Sequence, residues 1–267
     1  TQTDPLDGTL DPSRYLTYDE SMDLPTAKDE EATIDKITCV LRFNNEAAYR
    51  KYKRGVRDAH AKSHGVLRGT LVVEPDLPPL LAQGMFATPG SYPLIARLSS
   101  TSGAIRTDQC RGVRGLGIKL LGVDGKRALD DDTATTQDFI MVTHREFLFK
   151  DADDYLTKGM PIAFGLARLS DPALRLGSWV LDAVNTNVFK RIGKQLPENF
   201  MVFVRANTHI LGETFHTSAP LRYGNNIVKM RYAPASPEVR ALADQPVTDP
   251  GINAFQDMIV DYFAHHE

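Results

Sequence analysis

Residues 57–69, which read RDAHAKSHGVLRG, mark the point at which a helical pattern passes into a strand pattern. Arg57 and His60 are three residues apart, so on a helix their side chains would be neighbours on one face. Arginine is a permanent forked cation that suits a carboxylate, and histidine titrates near neutral pH. One surface could therefore hold an acidic group and move a proton beside it. On spacing alone, a helix cap or a partly buried polar residue is a more common role for His60 than catalysis. Metal binding by His60 and His64 is less favoured than catalysis.

Periodicity on either side of this stretch predicts the order of the elements. The chain begins with apolar residues at helical spacing, and Asn44 or Asn45 is the predicted cap of the second helix. Strands with a period of two follow, and then further helices and strands. The predicted helices are residues 29–41, 44–62, 151–169, 172–195, 238–243 and 254–266. The predicted strands are residues 66–73, 92–100, 114–123, 137–143, 201–204, 209–215 and 226–232. This order indicates an α+β fold with a mainly antiparallel sheet and enough strands to close into a barrel.

The domain organisation follows from the same pattern. Residues 1–27 are rich in Asp, Pro, Thr and Ser and have little periodicity, which predicts an extended arm that wraps a neighbour or stays mobile. Residues 28–267 contain no linker or internal repeat, so they are predicted to form a single domain. An arm of this kind weakly favours a homo-oligomer.

The predicted strand over residues 92–100 has two unlike faces. Alternation places Arg97 and Ser99 on one face and Leu94, Ala96 and Leu98 on the other. The polar face either meets solvent, which is the more common arrangement, or lines the inside of a barrel. In the next strand, the glycines at 115 and 117 indicate close approach of the backbone to a bulky group, and no helix follows to make them a dinucleotide fingerprint.

The totals exclude several classes of function. The 267 residues are 42% hydrophobic and 24% charged, as in an ordinary globular protein, and the net charge of −3 gives no support for a nucleic-acid partner. Two cysteines, Cys39 and Cys110, are too few for a disulfide framework. No apolar run is long enough to span a membrane. Reduced thiols fit the cytoplasm best, but because the chain starts at Thr1 a secreted or periplasmic location stays open.

Four separated segments together resemble one family. RDAHAKSHG, YPLIARLSSTSG, RGVRGLGIKLLGVDG and DFIMVTHREFLFKD are similar, in this order and spacing, to the haem-pocket segments of the catalase superfamily. The resemblance covers about residues 45 to 235 and is strongest to the short catalase-related peroxidases and the allene oxide synthase-like proteins. It implies a catalase-like antiparallel β-barrel with inserted and flanking helices, and haem b (iron protoporphyrin IX) as the cofactor.

The resemblance also assigns roles to residues. His60 falls at the position of the family's distal histidine, which would act as acid and base on peroxide, and Ser99 matches the serine that orients it. Arg57 and Arg97 match arginines that pair with the haem propionates. Arg114 begins a further strand that lines the haem. In this arrangement the polar face of residues 92–100 would line the pocket.

Three positions depart from the family pattern. Thr143 stands where catalases carry an asparagine, and it can donate only one hydrogen bond to peroxide, so weak catalatic turnover is expected. Tyr155 takes the place of a phenylalanine that stacks on the haem. Ala59 replaces a larger aliphatic residue beside His60, which would leave room for organic hydroperoxides.

The proximal iron ligand is the most serious departure. Catalases bind the iron through a tyrosinate, and in this family an arginine stands four residues before that tyrosine. After Phe215 the sequence has only Tyr223, Tyr232 and Tyr262, and none follows such an arginine. Either the proximal segment lies beyond Glu267, which we expect, or the protein is a shortened relative that binds no haem.

The function implied by the resemblance is that of a haem-dependent peroxidase. It would reduce hydrogen peroxide or organic hydroperoxides, with weak catalase activity and an electron donor that the sequence does not identify. A fatty-acid hydroperoxide isomerase or lyase is the alternative among enzymes. A catalase-fold protein without haem or catalysis is the alternative outside them.

Overall fold

The computed structural model describes residues 15–23, 29–129, 131–247 and 251–266. Its α-helices are α1 (Glu30–Tyr52), α2 (Ala152–Asp154), α3 (Met160–Arg168), α4 (Asp171–Val184), α5 (Glu198–Met201), α6 (Pro237–Arg240) and α7 (Ala254–His265). Its strands are β1 (Leu16–Thr17), β2 (Lys62–Val73), β3 (Gly90–Ser100), β4 (Arg114–Leu121), β5 (Thr136–Val142), β6 (Phe215–His216), β7 (Leu221–Tyr223), β8 (Asn226–Val228) and β9 (Arg231–Tyr232). Two π turns, Tyr155–Gly159 and Asn185–Phe189, extend the helices of the middle segment.

The main sheet is antiparallel and curled, with strand order β2-β3-β4-β5-β6-β9. Its four long strands are consecutive in the chain, so short connections build most of the sheet. Among the described residues β2 and β9 remain the two end strands, and the closed barrel expected from the strand count is therefore not formed. Strands β5 and β6 are paired only at Val142 and His216, so few hydrogen bonds extend the curled sheet beyond β5.

A second sheet of three short strands has the order β1-β8-β7. Its strand β1 comes from the segment predicted as an extended arm, and Leu16 pairs with Ile227 there. Residues 1–14 and 24–28 of that predicted arm lie outside the described residues.

The two helices predicted around residues 29–62 are one continuous helix, α1. Asn44 is not a cap: it is buried in the middle of α1, where its side-chain oxygen accepts a hydrogen bond from Arg168 at 2.6 Å. The helix ends at Tyr52 because Lys53 takes a left-handed conformation with φ of 55°. Arg57 and His60 therefore lie in a loop, and the prediction that they share a helical face is wrong.

The core lies on one face of the curled sheet. Ala96 and Leu98 of β3 pack there with Leu116 and Ile118 of β4, which confirms the predicted apolar face of β3. Phe255 of α7 is fully buried against the same cluster. At about 25 cal/mol per Å² of buried apolar area, large side chains of this kind supply most of the stabilisation of the sheet.

The strand predictions beyond residue 200 were the least accurate. Residues 201–204 end helix α5 and form turns, and residues 209–215 form a 3₁₀ turn, Ile210–Gly212, ahead of β6. A short apolar run does not identify a strand by itself, because it has too few residues for periodicity to decide the type of element. None of the described helices is long and apolar enough to cross a membrane.

Candidate functional site

His60 lies in the loop between α1 and β2 in a left-handed backbone conformation, with φ of 54°. Histidine is one of the few residues other than glycine that tolerate this region. Backbone hydrogen bonds hold the loop in place: His60 N donates to Thr101 O at 3.2 Å, and Ala61 N donates to Ser102 O at 3.1 Å. The guanidinium of Arg97 closes the arrangement by donating to His60 O at 2.8 Å.

The His60 imidazole is fixed by a serine on β3. Its Nδ1 lies 3.0 Å from Ser99 Oγ, and the Ser99 hydroxyl in turn donates to Gly115 O at 3.4 Å. When the serine hydrogen is directed to this carbonyl, the serine oxygen can accept from the imidazole, and the imidazole proton is then on Nδ1. The His60 Nε2 then keeps its lone pair, and it has no hydrogen-bond partner among the described residues.

Gly115 provides the space for this ring. A Cβ added at Gly115 would lie 2.3 Å from His60 Cε1 and 2.5 Å from His60 Nδ1, closer than side chains can approach. The bulky group that the glycines of β4 were predicted to accommodate is therefore, at this position, the imidazole of His60.

Burial and two arginines keep His60 neutral. Desolvation, followed by the charges of Arg57 and Arg97, lowers the pKa of His60 to about 4, against a small opposing effect of Asp58. Arg97 is half-buried, and desolvation and the charge of Arg57 lower its pKa. The positive charges of Arg57 and Arg97 repel each other, so an anionic ligand bound beside both would be stabilised. We call this pair the Arg57–Arg97 edge.

Tyr155 lies at the start of the π turn that follows α2. Its ring centroid is 5.1 Å from that of Phe149, and it is half-buried. Burial and the nearby carboxylate of Asp58 raise the pKa of Tyr155, which places the phenol within electrostatic reach of the loop that carries His60.

Thr143 and Arg114 meet at the ends of β5 and β4. Thr143 Oγ1 accepts from Arg114 N at 3.2 Å, and Thr143 N donates to Arg114 O at 3.0 Å. Because the threonine oxygen accepts this bond, its hydroxyl hydrogen remains available to donate. The Arg114 guanidinium points elsewhere: it donates to Ser100 Oγ at 2.7 Å and Asn207 Oδ1 at 2.7 Å. The Arg114 side chain therefore makes no hydrogen bond to the His60 loop, and its role in binding a cofactor stays a prediction.

A buried polar cluster that the sequence did not single out lies beside this site. Lys62 Nζ is 2.8 Å from Asp108 Oδ1, and Asp108 Oδ2 accepts from Phe255 N at 3.0 Å. His64 Nε2 is 2.8 Å from Ser100 Oγ, whereas His64 Nδ1 has no hydrogen-bond partner. Lys62 and His64 are two residues apart on β2, so the sequence indicates that they share a face. Asp108 lies in a loop 46 residues from Lys62, and no sequence pattern predicts their contact.

Two cavities flank the His60 loop. The first, of about 690 Å³, lies between α1 and the loop and is lined by Tyr49, Val56 and Asp58 among others. The second, of about 390 Å³, lies between residues 100–114 and the helices α3 and α4. Neither cavity is lined by His60 itself, but Thr101 and Ser102, which accept the loop's backbone hydrogen bonds, line the second. Both volumes are in the range of small-molecule sites.

Comparisons with known proteins give limited similarity. No protein-family model matches the chain, and no curated protein matches it. Among solved structures, the chain is similar to that of a bacterial catalase, with a TM-score of 0.36 and 16% identity. The match covers 82% of this chain and 38% of the catalase chain, so the chain spans well under half the length of that protein.

Some residues around the His60 loop have the chemistry that a haem site would need. The two cations of the Arg57–Arg97 edge could pair with the two haem carboxylates, and His60 is a neutral imidazole whose Nε2 has no hydrogen-bond partner among the described residues. The three tyrosines after Phe215 are placed elsewhere: Tyr223 donates to Leu81 O, Tyr232 is exposed on β9, and Tyr262 stacks on His266. None of these contacts involves the His60 loop, and the described part of the chain contains no cluster of three or more His, Cys, Asp or Glu residues that could hold a metal ion.

Proposed function

We propose that the chain is a haem-dependent peroxidase of the catalase-related type, in which His60 is the acid and base that acts on hydrogen peroxide or an organic hydroperoxide. The observation that carries the proposal is the His60–Ser99 pair. It combines an imidazole oriented by Ser99, an Nε2 without a hydrogen-bond partner among the described residues and a pKa lowered to about 4. Such a group is neutral at physiological pH and can accept a proton.

Each polar residue has a defined task in this proposal. His60 Nε2 accepts the proton of the attacking peroxide oxygen and returns it to the leaving oxygen. Ser99 keeps the other imidazole proton on Nδ1, so that Nε2 stays the acceptor through the cycle. Thr143 donates its free hydroxyl hydrogen to the bound peroxide, and since it offers one donor, the disproportionation of hydrogen peroxide is slow.

Arg57 and Arg97 would hold the haem by its propionates. Arg97 is better placed than Arg57 to bind a propionate close to His60, because its guanidinium also donates a hydrogen bond to His60 O. Tyr155 would contribute to a wall of the site, and Arg114, whose guanidinium donates to Ser100 and Asn207, would support the site from the buried polar cluster. When bound, haem would supply the redox chemistry of O–O cleavage, and an external electron donor would supply the reducing equivalents.

The experiment starts with purification of the chain after haem supply, followed by its visible spectrum and its products from a lipid hydroperoxide. The expected results are a Soret band with one haem per chain and, with an added electron donor, the corresponding alcohol. An epoxide or aldehyde formed without a donor would contradict the peroxidase and identify an isomerase or lyase. A chain that takes up no haem would contradict the proposal altogether.

A further inference from the structure

The helical segment from α4 to residue 192 exposes an apolar face that none of the described residues covers. The exposed fractions are 61% for Leu176, 67% for Trp179, 45% for Val180, 36% for Val184 and 52% for Val188. These residues recur at steps of three and four, so they share one side of the helix. A contiguous apolar face of this kind on the surface marks an interaction site.

The charges on this segment are mostly positive. Its two carboxylates, Asp171 and Asp182, have side chains that are 32% and 39% exposed, but they are paired with Arg106 at 2.6 Å and Arg111 at 2.9 Å. The other exposed charges are Arg175, Lys190 and Arg191 on the segment and Lys194 two residues after it. In the described residues none of the last three forms an ion pair with a carboxylate. The segment therefore presents an apolar face flanked by cations.

The side of α4 that faces the protein is also apolar. The cavity of about 390 Å³ beneath it is lined by Ile162 and Leu166 of α3 and by Leu174 and Leu181 of α4, among others. The hairpin of α3 and α4 thus presents apolar side chains both outward and inward.

We infer that the α4 face binds the surface of an anionic lipid membrane, with the helix axis in the plane of the interface. An interfacial helix needs an apolar face, lysine and arginine at its borders and an aromatic residue at the level of the headgroups. Leu176, Val180 and Val184 supply the first, Lys190 and Arg191 the second, and Trp179 the third. A second copy of the chain fits this face less well, because contact would bring cations against cations.

The test uses Trp179, which is the single tryptophan of the sequence, as the reporter. The chain is titrated with vesicles of phosphatidylcholine alone or mixed with phosphatidylglycerol, and tryptophan emission and co-sedimentation are followed. The expected result is a blue shift and sedimentation with the mixed vesicles only, both reversed by high salt. Neutralising Lys190, Arg191 and Lys194 to glutamine should weaken binding by on the order of fivefold per charge.

Matched variants localise the effect. Leu176→Glu places a charge in the apolar face and should lower vesicle affinity at least tenfold. Ile140→Glu is the control, since Ile140 is 66% exposed on β5 and Leu176 is 61% exposed; it should bind as the unmodified chain does. Equal loss in both variants would contradict the inference.

Other outcomes also overturn it. The inference is wrong if Trp179 emission does not change with either vesicle, or if neutral and anionic vesicles bind alike. It is also wrong if the chain without lipid is a dimer by light scattering that Leu176→Glu converts to a monomer, because the face would then join two copies.

Discussion

At the scale of single residues, the site depends on a histidine held in a left-handed backbone conformation. His60 takes this conformation with φ of 54°, and the backbone of Thr101 and the side chain of Arg97 hold it there. Conformations of this kind cost of order 1–3 kcal/mol and persist where surrounding contacts enforce them. The contacts around His60 direct its imidazole against Gly115 and Ser99, so the backbone conformation and the fixed ring have the same cause.

The depressed pKa of His60 predicts an activity profile that is flat toward high pH. His60 acts as a base only when neutral, so peroxide consumption should be constant from about pH 8 to 5 and fall as pH drops through about 4. Arg57→Gln removes a cation that lowers this pKa, so the fall should move to higher pH. A pH–rate profile measures the midpoint, and an unchanged or lower midpoint in the variant would contradict this electrostatic assignment.

Replacement of Gly115 tests whether the position of the ring matters. In Gly115→Ala the new Cβ would lie 2.3 Å from His60 Cε1, so the ring must leave its present position beside Ser99 and Gly115. A displacement of about 1 Å at such a group can cost on the order of 100-fold in rate. The control is Gly117→Ala on the same strand, whose Cβ would meet only Ile140 Cδ1 at 3.8 Å.

The measurement is the initial rate of peroxide consumption by both alanine variants, with circular dichroism to check the fold. Gly117→Ala should keep most of the activity. Similar activity in the two variants would show that the ring position at Gly115 has no catalytic importance.

The sequence predicted some of these residues and not others, for a physical reason. Ser99 and the apolar face of β3 could be predicted because alternation along a strand fixes which side chains share a face. The place of His60 in a loop could not, since Lys53 ends α1 by a backbone conformation that lysine rarely adopts. The contact between His60 and Gly115 joins residues 55 positions apart, and no local pattern contains it.

At the scale of elements, α7 is attached to the sheet by a buried ionic cluster. Lys62 Nζ donates to Ile252 O at 2.6 Å, and Asp108 accepts from Phe255 N, so both members of the ion pair also bind the start of α7. Phe255 packs against His64, with ring centroids 5.1 Å apart, and the Arg114 guanidinium lies 4.3 Å from its ring centroid. The helix is thereby fixed by polar contacts inside an apolar core.

Asp108→Asn should destabilise the protein strongly. It would leave the charge of Lys62 buried without a counter-ion, which costs roughly 3–5 kcal/mol. The matched control is Asp138→Asn, which breaks the exposed pair with Lys119 and should cost less than about 1 kcal/mol. Urea unfolding of both variants measures the difference, and equal losses would show that burial does not strengthen the Lys62–Asp108 pair.

Prediction at the scale of elements succeeded where periodicity ran long. Strands β2 to β5 and helices α4 and α7 follow clear patterns of seven residues or more, and the structure confirms them. Strands β6 to β9 have two or three residues each, too few for alternation to be recognised. The expectation of a closed barrel depends on these short strands, and among the described residues the sheet is curled but stays open between β2 and β9.

At the scale of the whole molecule, two neutral histidines, the buried His64 and the half-buried His60, link stability to pH. Desolvation, with the charges of nearby arginines and of Lys62, lowers the pKa of His64 to about 3, and His60 has a pKa of about 4. In the unfolded chain both titrate near 6.5, so between about pH 6.5 and 4 the unfolded state binds more protons and stability falls as pH falls.

Each histidine should therefore lower the free energy of unfolding by about 2 kcal/mol between pH 7 and pH 4.5. In His64→Asn, the difference in the free energy of unfolding between pH 7 and pH 4.5 should be smaller by about 2 kcal/mol, the contribution of one histidine. This expectation does not depend on how much the substitution destabilises the protein at pH 7. His265→Asn is the control, because His265 is exposed on α7. Urea unfolding at the two pH values gives the difference, and an equal pH dependence in His64→Asn and the unmodified chain would contradict the linkage.

The measurement that tests the central claim most directly is the rate of peroxide consumption by haem-supplied His60→Ala, compared with the unmodified chain and with His265→Ala. If His60 is the acid and base, its removal should lower the rate by about two to four powers of ten, while the exposed His265 should not matter. A loss of less than about threefold in His60→Ala would remove His60 from that role.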